Sequence, residues 1–174
     1  PFNAGTYQGL YLGGFDYKII LIIAQVFGYM LSKFIGIKVI SELKPAQRKA
    51  LIIGLILFAE ISLVFFGLVP FPYNFAFLFL NGLPLGMVWG IVFSYLEGRR
   101  FTEVLSMGLC ISLIVSSGFL KTIYFAVHGW FPAVSEFWMP AFIGLLFLPL
   151  FLFFVWMLSA MPKPTENDKL LRVE

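Results

Sequence analysis

Residues 27–39 read FGYMLSKFIGIKV and place Lys33 inside an otherwise apolar run. The run belongs to a segment, 18–41, that is long enough to cross a bilayer, because a spanning helix needs about 20 mostly apolar residues. Small residues recur in it every four positions, at Gly28, Ser32 and Gly36. The stretch therefore predicts a transmembrane helix with one small-residue face and a charged side chain at membrane depth.

The composition of the whole chain indicates an integral membrane protein. Of its 174 residues, 60% are hydrophobic and only 12% are charged, and the net charge is +3. A soluble domain is nearer half apolar and a quarter charged, and the 22 Phe residues would be hard to bury in one water-soluble core. No basic stripe stands clear of the apolar segments, which argues against a nucleic-acid partner.

Five segments are long and apolar enough to span a bilayer, at 18–41, 49–70, 74–96, 103–127 and 138–160. We therefore expect an all-α polytopic membrane protein, with its five-helix bundle over residues 18–161. Residues 1–17 are rich in Gly and aromatic side chains and predict a linker on the outer side. Residues 162–174 predict a polar cytoplasmic tail. The expected outer aromatic belt consists of Tyr7, Tyr11, Tyr17, Trp130 and Trp138.

Charges in the loops predict the orientation. The first and third loops and the tail are basic, whereas the second loop has no charge. The cytoplasmic-loop positions concerned are Glu42, Arg48, Lys49, Arg99 and Arg100. Under the positive-inside rule these loops and the C-terminus are cytoplasmic, and the N-terminus of this chain is outside. An outside start without an export signal suggests a missing upstream helix, so we expect spans two to six of a longer protein.

Two further helices carry ladders of small residues like that of the first. They are Gly82, Gly86 and Gly90 on the third span, and Gly108, Ser112 and Ser116 on the fourth. Residues four apart share a helix face, and small faces let backbones approach closely in lipid, where the hydrophobic drive between helices is missing. Two interpretations stand: packing of a compact bundle, or sliding surfaces for alternating access.

Lys33 and Glu60 are the ionisable residues at greatest predicted depth. Lys33 lies ~13 Å and Glu60 ~16 Å from the cytoplasmic edge at 1.5 Å per residue. Lys33 could snorkel, pair with Glu60, or line a solvated pathway and meet an anionic solute, since intramembrane charges usually serve function. Glu60 could pair with Lys33 or take up protons. The expected substrate-pathway residues are Lys33, Glu60, Gln25, Tyr29, Asn81 and Ser112.

The sequence does not group the residues of an enzyme or a metal centre. Cys110 is alone, and no second His, acidic pair or Cys cluster offers metal ligands. The serines lack a plausible His and Asp set. We therefore expect no enzymatic activity, no cofactor and no metal.

Two stretches carry a family resemblance. Residues 28–54, GYMLSKFIGIKVISELKPAQRKALIIG, resemble the second span, first cytoplasmic loop and third span of the major facilitator superfamily. Residues 79–118, FLNGLPLGMVWGIVFSYLEGRRFTEVLSMGLCISLIVSSG, resemble its fourth and fifth spans. The chain is closest in pattern to organophosphate:phosphate antiporters, through Ser32-Lys33-Phe34, and to an uncharacterised bacterial branch of the superfamily.

The resemblance implies a 12-span transporter, of which this chain is an N-terminal half bundle without the first span or the C-terminal half. In the antiporters the Lys matching Lys33 faces the pathway and helps bind phosphate. The loop here departs from the usual Asp-Arg, reading Glu42-Leu43-Lys44, and the pore His of the fifth span falls near Ser112, so its role is not carried over.

The resulting hypothesis is part of a secondary transporter for a small organic solute, with an anion favoured and a proton or an anion as coupling ion. Its expected surroundings are the lipid bilayer of a bacterial cytoplasmic membrane. The alternative is a non-transporting membrane subunit or scaffold that binds partner helices. Replacing Lys33 and Glu60 together by Leu discriminates between them, because a scaffold tolerates the loss of a buried pair.

Overall fold

A computed structural model gives the structure of residues 2–96 and 102–160, without the side chains of residues 45 and 46. Five long helices follow a short N-terminal segment that contains a 3₁₀ turn, Phe2–Ala4, and a hairpin of β1, Tyr11–Leu12, and β2, Phe15–Asp16. The helices are α1, Tyr17–Ser41; α2, Pro45–Leu68; α3, Phe75–Leu96; α4, Thr102–Trp130; and α5, Met139–Ser159.

All five helices are long and apolar enough to cross a membrane. The predicted fold class, an all-α polytopic membrane protein, is confirmed, and the chain is a multi-pass membrane protein. The largest differences from the predicted spans are the start of α2 at Pro45 and the end of α4 at Trp130. Pro45 is favourable there because proline suits the first helical position, where its missing N–H would be unsatisfied anyway.

Local signals explain where α1 begins and α2 ends. The Asp16 carboxylate accepts a 2.9 Å hydrogen bond from the Lys18 backbone N–H, as an N-cap should. The turn of residues 69–74 reads VPFPYN, and α2 ends there because its paired prolines cannot continue a helix. We call the end of the bundle with this turn and the start of α1 the proximal end, and the opposite end the distal end.

The closest contact in the bundle is that between α1 and α3. A Cβ added at Gly82 would overlap the Gln25 carbonyl oxygen, and one added at Gly86 would come within 2.7 Å of Ser32 Oγ. The ladders of these two helices therefore face each other, and the backbones approach as the small-residue motif requires. The remaining members of the two ladders are Gly28, Gly36 and Gly90, whose added Cβ atoms would contact Phe79, Met87 and Ile40.

The ladder of α4 does not join this packing. Gly108 has no atom of the described residues within 4 Å of an added Cβ. Ser112 and Ser116 are exposed, and their hydroxyls donate to carbonyls of α4 itself, at 2.7 and 3.1 Å. The expectation that all three ladders pack in one compact bundle is therefore wrong for α4, which contacts the other described elements mainly through its last turns near Tyr124 and Val127.

The N-terminal segment packs into the bundle instead of lying loosely on it. Phe2 is 7% and Tyr7 2% exposed, and both join a core cluster with Leu21 and Phe66. Tyr17 is fully buried, with its hydroxyl donating to Pro72 O at 3.1 Å. The predicted linker is therefore part of the core, and Tyr7 and Tyr17 do not belong to an aromatic belt. The other three predicted belt residues are exposed, namely Tyr11, Trp130 and Trp138.

Candidate functional site

A cavity of about 480 Å³ lies inside the bundle. All five helices contribute to its walls, α4 through Leu120, and Phe2 and Asn3 of the N-terminal segment contribute as well. Its polar lining side chains among the described residues are Asn3, Gln25, Glu60 and Asn81. The remaining walls are apolar, as is typical of sites for small molecules, in which a few polar groups orient the ligand.

A second pocket, of about 510 Å³, lies between α2, α5 and the turn that precedes α5. Its described lining contains Ser135 and Trp138 but no ionisable side chain. The second pocket has a similar volume but few polar groups and no ionisable side chain, so it is the weaker candidate. The cavity inside the bundle is therefore the candidate site.

Two carboxamides form one wall of the cavity. Gln25 Nε2 donates to Asn81 Oδ1 at 2.9 Å, and Asn81 Nδ2 donates to the Ala59 carbonyl at 3.0 Å. Asn81 is only 3% exposed, so both of its hydrogen bonds lie in the interior. These two hydrogen bonds thus link α1, α3 and α2 and fix the orientation of both amides. Gln25 Oε1 accepts no hydrogen bond from the described residues.

Glu60 supplies the one carboxylate in the described lining of the cavity. It lies against Gly144 of α5, where an added Cβ would come within 2.7 Å of Glu60 Cδ. Its Oε1 atom is buried and has no hydrogen-bond partner among the described residues. No Lys, Arg or His belongs to the described lining, and a charge at membrane depth is costly without a partner or water. Glu60 therefore offers the cavity an acceptor that has neither a hydrogen-bond donor nor a cation beside it among the described lining residues.

Lys33 lies outside this cavity. Its side chain is exposed, and Nζ sits over the Tyr29 ring at 4.8 Å from the centroid, a cation–π arrangement. It follows Val26, which does line the cavity, by about two helical turns on the same face of α1. No ion pair joins Lys33 to Glu60. The pairing of Lys33 with Glu60, one of the three alternatives for Lys33, is therefore not formed in this structure.

Of the six predicted pathway residues, the cavity brings together three and leaves out three. Gln25, Glu60 and Asn81 line it. Lys33 and Tyr29 contact each other elsewhere on α1, and Ser112 is exposed on α4. The sequence named three of the four polar side chains in the described lining and missed Asn3, and it did not show that Lys33, Tyr29 and Ser112 lie away from the cavity.

A carboxylate clasp at the proximal end escaped the sequence analysis. Glu136 accepts hydrogen bonds from Tyr7 N at 2.6 Å, Thr6 Oγ1 at 2.9 Å and Thr6 N at 3.2 Å. It holds the N-terminal segment whose Phe2 and Asn3 line the cavity. Glu136 is the one acidic residue in the turn between α4 and α5. This lone charge was the feature of the sequence that could have pointed to the clasp.

The clasp shifts the ionisation of its members. Burial acts to raise the pKa of Glu136, but the hydrogen bonds from Tyr7 and Thr6 outweigh it, so the pKa lies below its usual value. Burial, with a smaller contribution from Tyr124 and Glu136, raises the pKa of Tyr7. The Glu136 carboxylate is thus held in its charged form, with three donors directed at it.

The predicted cytoplasmic-loop residues divide into three groups. Arg48 is not a free loop charge, because it lies in the first turns of α2 and donates to the Ser94 carbonyl at 3.0 Å, with its guanidinium over the Tyr95 ring. A cation at the C-terminal end of α3 is favourable there. Glu42 and Lys49 are exposed. Arg99, Arg100 and the tail of residues 162–174 lie outside the described residues.

Metal ligation finds little support in the described part of the chain. No three His, Cys, Asp or Glu side chains of residues 2–96 and 102–160 come together. The described lining of the cavity contains side-chain oxygen atoms of Asn3, Gln25, Glu60 and Asn81, of which only Glu60 is a carboxylate.

Comparisons with known proteins give a family but no function. The profile of a family described as a family of unknown function, DUF5690, matches residues 1–174. The chain therefore belongs to that family. The searches of curated proteins and of solved structures found no match.

Proposed function

We propose that this member of DUF5690 is part of a secondary transporter that moves a small organic solute across a membrane by alternating access. The observation that carries the proposal is the cavity of about 480 Å³, with apolar walls and three polar side chains at membrane depth. Transporters of this mechanism bind their solutes near the bilayer midplane. Glu60 lies eleven residues after Lys49 on α2, which is ~16 Å along the helix axis and about half the thickness of the hydrocarbon core.

The resemblance to the major facilitator superfamily supports the same proposal. It adds a missing first span and a C-terminal half, which together with this chain would enclose a two-sided pathway. The basic residues at the distal end, such as Arg48 and Lys49, favour a cytoplasmic distal end and an outer proximal end. We place this transporter in the cytoplasmic membrane of a bacterium, with a proton or an anion as coupling ion.

The sign of the solute's charge has less support than the transport itself. An anion was expected because Lys33 would face the pathway. Lys33 instead lies over Tyr29, outside the cavity that Glu60 lines. The transport proposal rests on the cavity, whichever charge its solute carries.

Cysteine accessibility tests alternating access without knowledge of the solute. In the intact protein, Cys110→Ala removes the thiol of this chain, any cysteine outside it is replaced as well, and Leu63→Cys places a new thiol in the cavity wall. A membrane-impermeant maleimide should label this position from either side, in right-side-out and in inverted vesicles. Phe34→Cys is the matched control, because Phe34 is exposed on the outer surface of α1 and should not react in lipid. Labelling of Leu63→Cys from neither side or from one side would contradict the proposal.

The scaffold alternative is favoured by one observation, the uncovered face of α4. Gly108, Ser112 and Ser116 contact no other described helix, and small faces are where membrane helices associate. A scaffold should keep its partner when Lys33 and Glu60 are both replaced by Leu, and it should show no cavity labelling. A transporter should keep its fold after this double replacement but lose flux.

A further inference from the structure

The cavity wall formed by α1, α2 and α3 has hydrogen-bond acceptors without a partner among the described residues, namely Glu60 Oε1 and Gln25 Oε1. Glu60 offers a carboxylate, with Oε1 unpaired among the described residues. Gln25 offers Oε1, and each amide nitrogen of Gln25 and Asn81 already donates one hydrogen bond, to Asn81 Oδ1 and to the Ala59 carbonyl. A ligand that satisfies this wall has to bring N–H or O–H donors.

When Glu60 is ionised, the charge of the wall is negative and is not balanced within the described lining. Glu60 is ionisable, and no Lys, Arg or His is part of that lining. Lys18 and Lys33 of α1 lie outside that lining, about one turn before Ile22 and two turns after Val26, and Lys33 Nζ sits over the Tyr29 ring. A ligand with one positive charge matches the site, because an opposite charge offsets the loss of solvation that a carboxylate suffers at membrane depth.

The volume and the apolar walls of the cavity favour an organic cation over a metal ion. A cavity of about 480 Å³ is far larger than one metal ion and lies within the range of sites for small organic molecules. A spanning helix, ~30 Å long and ~10 Å wide, would need several times this volume. The walls include the aromatic rings of Phe2, Phe147 and Phe151, which favour an apolar body and can attract a cation.

We propose that the cavity binds a small organic monocation, a primary ammonium with an apolar body, whose nitrogen contacts the Glu60 carboxylate and Gln25 Oε1. The ammonium group has three N–H donors, enough for both Glu60 oxygens and one amide oxygen. The inference rests on the proposed function in one respect, that the solute bound in the cavity is the solute moved.

The experiment measures binding to the intact protein in lipid nanodiscs, by calorimetry at about pH 7.5. The probes are benzylammonium, 2-phenylethylammonium and hexylammonium, each against the alcohol of the same skeleton, with benzoate as the anionic counterpart. We expect each ammonium ion to bind at least about tenfold more tightly than its alcohol, since hydrogen bonds to charged groups are the strong ones. Equal affinity of all three pairs, or tighter binding of benzoate than of benzylammonium, would overturn the proposal.

Glu60→Gln tests the residue on which the preference depends. It keeps the size of the side chain and removes its charge, so the ammonium preference should disappear while the alcohols bind as before. Glu103→Gln is the matched control, because Glu103 is exposed in the first turn of α4 and should leave the preference intact. A preference that survives in Glu60→Gln would overturn the assignment.

A second measurement needs no variant and so does not depend on correct folding of Glu60→Gln. Dicyclohexylcarbodiimide, an apolar carboxyl reagent, should modify Glu60 in the native protein, and peptide mass spectrometry locates the modified site. Benzylammonium should slow this modification, and benzyl alcohol should not. Equal protection by both compounds, or by neither, would contradict an ammonium on Glu60.

The inference and the transport proposal can fail separately. If Leu63→Cys is labelled from both sides but no ammonium ion is preferred, the ligand class is wrong and the transport proposal stands. If ammonium ions bind through Glu60 but the cysteine is labelled from one side only, the binding site stands and the transport proposal falls.

Discussion

Gln25 donates a 2.9 Å hydrogen bond to Asn81 across the interface at which α1 and α3 touch backbone to backbone. Asn81 in turn donates a hydrogen bond to the Ala59 carbonyl of α2. One pair of side chains therefore joins three helices and also forms the polar wall of the cavity. The Gln25–Asn81 hydrogen bond is therefore expected both to stabilise the bundle and to orient the groups proposed to bind the ligand.

A double-mutant cycle should measure the strength of this link. We expect Asn81→Leu to lower the free energy of unfolding more than Gln25→Leu, because it also removes the side-chain hydrogen bond to the Ala59 carbonyl. Side-chain hydrogen bonds between membrane helices average ~0.6 kcal/mol and reach ~1.7 kcal/mol, so the coupling energy of the two changes should fall in that range. Unfolding in mixed micelles by SDS titration measures it. A coupling energy of zero would show that the bond contributes nothing to the fold.

The glycine ladders offer a comparison between a packed and an open helix face. Gly82→Ala places a Cβ against the Gln25 carbonyl, whereas Gly108→Ala places one where no described atom lies within 4 Å. Overpacking typically costs ~1–3 kcal/mol, so Gly82→Ala should lower the unfolding temperature and Gly108→Ala should not. Thermal unfolding followed by circular dichroism measures both.

The same pair of variants tests what covers α4. If Gly108→Ala destabilised the intact protein as much as Gly82→Ala does, another helix would have to lie against the α4 ladder. That result would favour the scaffold alternative, or a partner span from the rest of the protein.

The sequence predicts the helices and the interlocked faces well because both depend on local spacing. Twenty apolar residues predict a span, and a glycine every fourth position predicts a close face, as Gly82 and Gly86 show. Hydropathy gives the depth of Lys33 and Glu60 but not the rotation of their helices about their axes. Matching depth therefore suggested a pair that the structure does not form.

Non-local contacts were the other part that the sequence could not predict. Phe2 and Tyr7 are core residues because Glu136, far along the chain, binds the backbone of their segment. A Gly- and aromatic-rich stretch has no periodicity that distinguishes an interfacial linker from a packed segment. The face of α4 shows the converse, since Gly108 and Ser112 have the spacing of a packed ladder but no described partner.

The Glu136 clasp should make stability depend on pH. The pKa of Glu136 is lowered in the folded protein from a usual 4.5, so its contribution is fully present above about pH 4.5 and is lost as the pH falls through the folded pKa. Glu136→Gln should therefore lower the unfolding temperature at about pH 7, and its difference from wild type should shrink below about pH 4.5. Hydrogen bonds to a charged group contribute ~1.5–3 kcal/mol in favourable cases. Thermal unfolding at several pH values gives the difference.

Glu103→Gln is the matched control for that series, because Glu103 is exposed and distant in sequence from the clasp. Its difference from wild type should be small and should not change with pH. A Glu136→Gln deficit that stays constant down to about pH 3 would contradict the clasp, because a protonated carboxyl no longer accepts as a charged group.

Gly144→Ala tests whether the position of the Glu60 carboxylate, and not its charge alone, determines ammonium binding. The added Cβ would come within 2.7 Å of Glu60 Cδ, so the carboxylate has to move away from α5 while its charge is kept. We expect the affinity for benzylammonium to fall by about tenfold, which corresponds to the loss of one charge-assisted hydrogen bond, with benzyl alcohol little affected. Gly118→Ala is the control, since nothing lies within 4 Å of its added Cβ among the described residues. If Gly144→Ala and Gly118→Ala bound benzylammonium equally well, the ammonium ion would not be held at the carboxylate position that α5 imposes.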